Sequence, residues 1–246
     1  MARSLINQLY GQLASIIVSQ TRYRAVLIAL PIVSLLPAYF ALIYGLGREE
    51  FPLILAGAVI SPSVWFSIGF MQDIVYEKVE YRYLEMLIAS PMRPLIYAAS
   101  RLLAGMLLAM ASMLPMVALY VWLTKSLILI PLSVVLTLLL SMTLSPFSMV
   151  LGLRMANIKE VGSLPSLLST FMVFLPPVYY TPNILPEWLR IPGVLMPSAS
   201  AAEILRSLSM HGYEPIIDPN ILLVYLIALA FSSTIILYFK FNWSLD

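Results

Sequence analysis

A chain of 246 residues that is 61% hydrophobic and 11% charged, with a mean hydropathy of +0.93, is no soluble domain. Soluble domains carry roughly 25% charged residues, and the length leaves room for several membrane spans but not for a catalytic domain beside them. The lack of cysteine excludes disulfides and thiolate metal sites, and the net charge of +2 says less than where the charges fall.

In chain order, Leu5, Leu9, Leu13, Ile16 and Ile17 come first, at helical spacing, with Asn7, Gln8, Gln12 and Ser15 largely between them. That pattern predicts an amphipathic helix over residues 1–24, lying on a membrane surface and ended by Arg22 and Arg24. A helix merely packed on the protein fits the same spacing. No compact apolar core followed by small residues marks a cleavable signal.

A membrane-crossing helix needs about 20 mostly apolar residues. Six windows qualify: Ala25–Gly47, Phe51–Gln72, Leu102–Thr124, Ser126–Leu153, Val161–Pro186 and Pro219–Phe239. A seventh, Ile191–Ala202, is too short to span, holds Pro192 and Pro197, and suits a re-entrant or interfacial segment. The expected fold is therefore an all-α integral membrane protein with six transmembrane helices in one domain, 1–246. Pro31, Pro37, Pro62, Pro115, Pro131 and Pro146 fall inside the windows, where each removes a backbone donor and kinks its helix. Met106, Met110, Met113 and Met116 form a stripe in the third window; core packing is the expected use, an adaptable wall for a greasy substrate the alternative.

Orientation follows the Lys/Arg count in the connections. Arg3, Arg22, Arg24, Lys78, Arg82, Arg93, Arg101, Arg154, Lys159 and Lys240 fall on one side, and only Arg48, Lys125, Arg190 and Arg206 on the other. Both termini and residues 73–94 are thus expected in the cytoplasm of a cell-membrane protein. The opposite side holds Glu49, Glu50, Glu187, Glu203, Glu214 and Asp218. Arg101 is expected to snorkel to the inner interface.

Residues 73–94 contain the most charged stretch of the chain. Tyr76, Val79, Tyr83 and Met86 share one helical stripe, while Glu77, Glu80, Tyr81 and Glu85 lie mostly on another, with Lys78 and Arg82 one turn apart. Two readings stay open on these residues alone. The helix either anchors its flanking spans at the interface or docks a cytoplasmic partner.

The run from Glu80 to Pro91 resembles the cytoplasmic loop of type-2 ATP-binding-cassette exporter permeases. That loop has an acidic residue, a small-Thr-Leu-Glu step, a leucine and Ser/Thr-Pro. Glu80, Leu84, Glu85, Leu87, Ser90 and Pro91 match, while Arg82 and Tyr83 replace the small residue and threonine. Pro176 to Ser207 is similar to the segment after the fifth span of the same family, with Pro182, Leu185, Pro186, Trp188, Leu189, Pro197 and Arg206 matching. The resemblance implies an N-terminal connecting helix, six spans, a coupling helix after the second span and paired short re-entrant helices over 181–212. It implies ATPase coupling through Tyr76, Glu77, Glu80, Tyr83, Glu85, Leu87, Ser90 and Pro91. An extracytoplasmic gate of Pro182, Leu185, Pro186, Trp188, Glu203 and Arg206 would close the other side. The implied partners are a cytoplasmic ABC ATPase subunit, a second permease copy (the same chain or a close relative) and the lipid bilayer.

No Gly-x-x-x-x-Gly-Lys-Ser/Thr stretch is present to cradle ATP phosphates, so the chain is expected to be no enzyme and to bind no cofactor, with ATP and Mg on the partner. His211 is the single histidine and reads as a loop residue, since no second histidine or cysteine completes a metal site. Charge-free windows argue against a proton-coupled carrier, and nucleic acid is not an expected partner. The function expected is export of an amphiphilic, lipid-like or drug-like substrate. The alternative is a six-span scaffold or assembly factor without a transport path.

Overall fold

The computed structural model describes residues 2–21, 51–90, 92–155, 161–210 and 212–240, with Ile32, Leu36 and Tyr39 besides. The rest of the expected first span Ala25–Gly47, with Pro31 and Pro37, lies outside the described residues, as do Pro91, Lys159 and His211. The helices in chain order are α1 (Ala2–Thr21), α2 (Phe51–Val75), α3 (Tyr83–Ala89), α4 (Pro94–Thr124), α5 (Leu129–Arg154), α6 (Ser163–Phe174), α7 (Glu187–Val194), α8 (Pro197–Ser209) and α9 (Pro219–Lys240).

Among the described residues four helices are long and apolar enough to cross a membrane: Phe51–Glu80, α4, α5 and α9. They coincide with four of the expected windows. Among the described residues the window Val161–Pro186 holds a shorter apolar helix, Ser163–Phe174, of 12 residues. At about 1.5 Å per residue that is well short of a hydrocarbon core of about 30 Å. The cause is local: Pro176 and Pro177 remove two consecutive backbone donors and crowd the preceding turn.

The core is built around α2. Every residue from Ile54 to Val64 is buried, and α2 meets α4, α5, α6 and α8. An apolar helix buried on all sides is the centre of a bundle. α9 instead packs on α5 and α8 through Leu222, Leu226, Ala230 and Leu237, and leaves Val224, Phe231, Ile236 and Phe239 exposed. A span-length helix with one face packed and apolar residues elsewhere presents that remainder to lipid.

Met113 and Met116 lie in the main core, Met106 is buried and Met110 packs against the same cluster. The Thr137 hydroxyl donates to Met113 Sδ at 3.0 Å. The methionine stripe is therefore core, not a substrate wall. Pro62, Pro115 and Pro146 are internal to their helices. Pro131 is not, because α5 starts at Leu129, and a first-turn proline loses no helical hydrogen bond.

α1 is helical throughout its described length and packs on α4. Ile16 is buried and Leu9 and Leu13 are half-buried, whereas Ile6, Tyr10 and Val18 are exposed. The leucine-isoleucine stripe is thus partly taken up by the protein, and a second apolar set faces outward.

Candidate functional site

Two clusters of polar side chains sit at opposite ends of the bundle. At the end carrying α3, α2 does not stop at Gln72; it continues to Val75 and then as a π turn over Tyr76–Glu80, with Tyr81 N–H bonded to Tyr76 O at 3.0 Å. Single π turns inside longer helices are frequent at functional sites. Arg82 follows in the left-handed region at φ 48°, uncommon for a residue with a Cβ. That residue resets the helix axis, and α3 begins at Tyr83.

The continuous coupling helix expected from the sequence is therefore two pieces, and its faces are re-phased. Leu84 and Leu87 bury themselves in a cluster with Phe70, Ile74, Tyr97 and Met149. Leu87 is an anchor rather than a contact residue. Ser90 is also structural: its hydroxyl donates to Leu87 O at 2.7 Å and accepts from Met92 N–H at 3.3 Å. Pro91 lies outside the described residues. Glu80, Tyr81, Arg82, Glu85, Met86 and Ile88 remain exposed, so the surface on offer keeps Glu80 and Glu85.

Glu77, Tyr76 and Tyr83 turn inward instead and line a cavity. Glu77 pairs with Arg101 and accepts from the Tyr97 hydroxyl. Arg101 also bonds Asp73 at 3.1 Å and lies 5.7 Å from the Tyr97 ring centroid. It is 4% exposed. The expected snorkelling is overturned: with the carboxylates of Asp73 on α2 and Glu77 on the π turn in reach, the guanidinium stays inside. Gln12 of α1 donates to the Tyr83 hydroxyl at 3.0 Å, and Lys78 Nζ donates to Leu153 O at 2.8 Å. The π turn and α3 are thereby tied to α1, α4 and α5 together. Asp73 and Tyr97 escaped the sequence reading, although Asp73 ends an otherwise uncharged window.

At the other end α7 starts at Glu187, directly after Pro186. Pro197 at the first position of α8 separates the two short helices. Pro182 is buried in a 3₁₀ turn, Pro182–Ile184, and Leu185 O accepts from Arg190 Nε at 3.0 Å. Trp188 is 74% exposed, away from the buried pair below it.

Glu203 and Arg206 are 1% and 0% exposed. Their closest charged atoms are 3.7 Å apart, so an exposed loop with a chance pair does not describe them. Arg206 spends its donors on carbonyls: Pro177 O at 2.9 Å, Tyr180 O at 3.0 Å, Leu53 O at 3.3 Å and Val178 O. Glu203 accepts from Tyr213 Oη at 2.7 Å and Ile216 N–H at 3.4 Å. Burial pulls the Arg206 guanidinium down from its ordinary value, opposed by Tyr213 and Glu203. Burial, with the Glu203 hydrogen bond second, pushes the Tyr213 phenol up. One arginine thus clamps the turn after α6 onto the start of α2.

The same turn rests on Gly57. A Cβ there would meet Val178 O at 2.5 Å and Tyr179 Cδ1 at 2.8 Å, and the Ser61 and Tyr179 hydroxyls share a hydrogen bond of 2.5 Å nearby. Gly57→Ala is expected to destabilise by about 1–3 kcal/mol through overpacking, lowering the thermal midpoint in detergent. Gly69→Ala, where nothing lies within 4 Å, should be neutral or mildly stabilising, since alanine is the better helix former.

A short helix rooted in the core with exposed charges at one end, a clamped pair of short helices at the other and span-length helices between them suit a permease. The model of the ABC-2 family transporter protein matches residues 40–239. The chain belongs to that family. ABC-2 membrane domains are permease subunits rather than ATPases, and the family implies association with a partner ABC ATPase. The protein is thus a multi-pass membrane permease of the ABC-2 type. A search of curated proteins finds no significant match.

Proposed function

We propose that this ABC-2 permease is the membrane half of an ATP-driven exporter for an amphiphilic, lipid-like or drug-like substrate. Two copies, or a close pair, would flank a path, each with six spans and each seated on a separate ATPase. One observation supports it most: α3 is rooted in the core by Leu84 and Leu87 yet offers Glu80, Arg82 and Glu85 outward. A merely interfacial anchor has no use for two exposed carboxylates on a buried base. Movement of the ATPase reaches the spans through the π turn, because Glu77, Arg101 and Asp73 join it to α2 and α4. The short helices α7 and α8 form a cap that dips into the outer leaflet, with Trp188 at headgroup depth, where an amphipathic ring is stable.

Ten basic residues against four assign the α3 end and both termini to the cytoplasm. Since the chain has no native cysteine, single cysteines read this cleanly. Gly11→Cys and Glu85→Cys should be protected from an impermeant thiol reagent in intact cells, and Asn183→Cys should be labelled. The reverse pattern would overturn the sidedness. Co-purification with a cytoplasmic ATPase, with hydrolysis that responds to the permease, separates export from a scaffold role; an ATPase that ignores the permease would favour the scaffold.

A further inference from the structure

Beneath α1 lies a cavity of about 400 Å³ that no transport role assigned above uses. Its wall carries Tyr76, Tyr81, Tyr83 and Tyr97, with the carboxylates of Asp73 and Glu77. A second cavity of about 280 Å³ adjoins it, walled by Trp65, Phe66, Phe70 and Leu108. Ile16 and Asp73 line both. One chamber is therefore aromatic and acidic, the next mostly aromatic and apolar with Gln72, Ser166 and Ser169 on its wall, and they meet at a carboxylate.

We propose that the two cavities form one binding site for an amphiphile with an ammonium-type cationic head. The faces of tyrosine rings attract cations through their quadrupole. Two carboxylates line the head chamber against one guanidinium, whose terminal nitrogens are turned to those carboxylates. An anionic head would meet the two carboxylates. The neighbouring chamber removes the apolar body from water, which stabilises binding in proportion to the area buried. The site also explains the inward-turned Tyr76 of the π turn and Tyr83 of α3: the head sits against the segment that carries the coupling surface. Occupancy and the position of α3 are thereby linked. The word substrate for this ligand rests on the transport reading; the binding does not.

The test uses the full chain in phosphatidylglycerol discs, without an ATPase. Ser15→Cys places a thiol on the head chamber, and Gly11→Cys, with open space around it, is the control. Decyltrimethylammonium should slow alkylation at position 15 and leave position 11 unchanged, while decanol and decyl sulfate slow neither. Tyr76→Ala with Tyr81→Ala should raise the concentration for half-protection about tenfold, the loss expected for two ring faces. The same pair changed to phenylalanine should retain protection, which separates the rings from any general loosening. Protection at position 15 by phosphatidylcholine discs alone would support the site with a lipid choline head as its source. Equal slowing by decanol or decyl sulfate, or no slowing by the cation, would overturn it. Failure here with a normal ATPase response leaves the export reading standing; protection with no ATPase response defeats that reading and keeps the site.

Discussion

Arg206→Met is expected to leave little folded permease, as judged by monodisperse recovery in detergent and by the thermal midpoint of what survives. The side chain is fully buried and its donors satisfy carbonyls of Leu53, Pro177, Val178 and Tyr180. Methionine fills much of the volume but offers no donor, so the carbonyls lose their partner and Glu203 loses its cation. Breaking a buried pair from one side costs about 3–5 kcal/mol, against a total stability of about 5–15 kcal/mol for a typical domain. Arg206→Lys should fall between, because an ammonium keeps the charge but not the planar fork that reaches several carbonyls at once. A charge swap, Glu203→Arg with Arg206→Glu, is the rescue that spacing alone suggests. It should fail, because a carboxylate at 206 would face carbonyl oxygens. Wild-type melting of Arg206→Met, or recovery in the swap, would refute the clamp.

Arg101→Met should be the second most damaging change. Asp73 and Glu77 would lose the cation between them, and the Tyr97 hydroxyl would be left with a carboxylate that no longer has its own partner. The side chain of Asp73 is 31% exposed and that of Glu77 is less so, so solvent offsets part of the loss. The expected cost is about 3 kcal/mol, the lower end of the range for breaking a buried pair. A second readout is local. Amide exchange over residues 76–89 should rise, because the π turn and α3 lose their tie to α4. Arg101→Lys should restore part of the protection. Unchanged exchange in the methionine variant would mean that the ion pair does not brace the coupling segment.

The four span-length helices were legible because about 20 apolar residues in a row have few other uses. Where the helix in the window Val161–Pro186 ends was not legible in that way, since apolarity says nothing of two consecutive donorless residues at Pro176 and Pro177. Charge marked residues 76–90 as a surface feature, but a 3.6-residue period assumes an unbroken helix. The π turn and the left-handed Arg82 re-phase it, which turned Glu77 and Tyr83 inward and sank Leu87. One partner of Arg101 is 28 residues away at Asp73, a pairing fixed only by the packing of α2 on α4. Glu203 and Arg206 stand one helical turn apart in the chain. Their burial was not legible, because carbonyls from residues 53 and 177–180 carry no signature in sequence.

The central claim is that an ATPase reads α3. Glu80 and Glu85 are exposed and take no part in the Arg101 cluster, so reversing their charge leaves the fold intact. The decisive measurement is permease-stimulated ATP hydrolysis in a reconstituted complex of this chain with its cytoplasmic ATPase, wild type against Glu80→Lys with Glu85→Lys. Both proteins should melt alike, and the double variant should lose stimulation and co-elution. Full stimulation and normal co-elution by a correctly folded double variant would contradict the account.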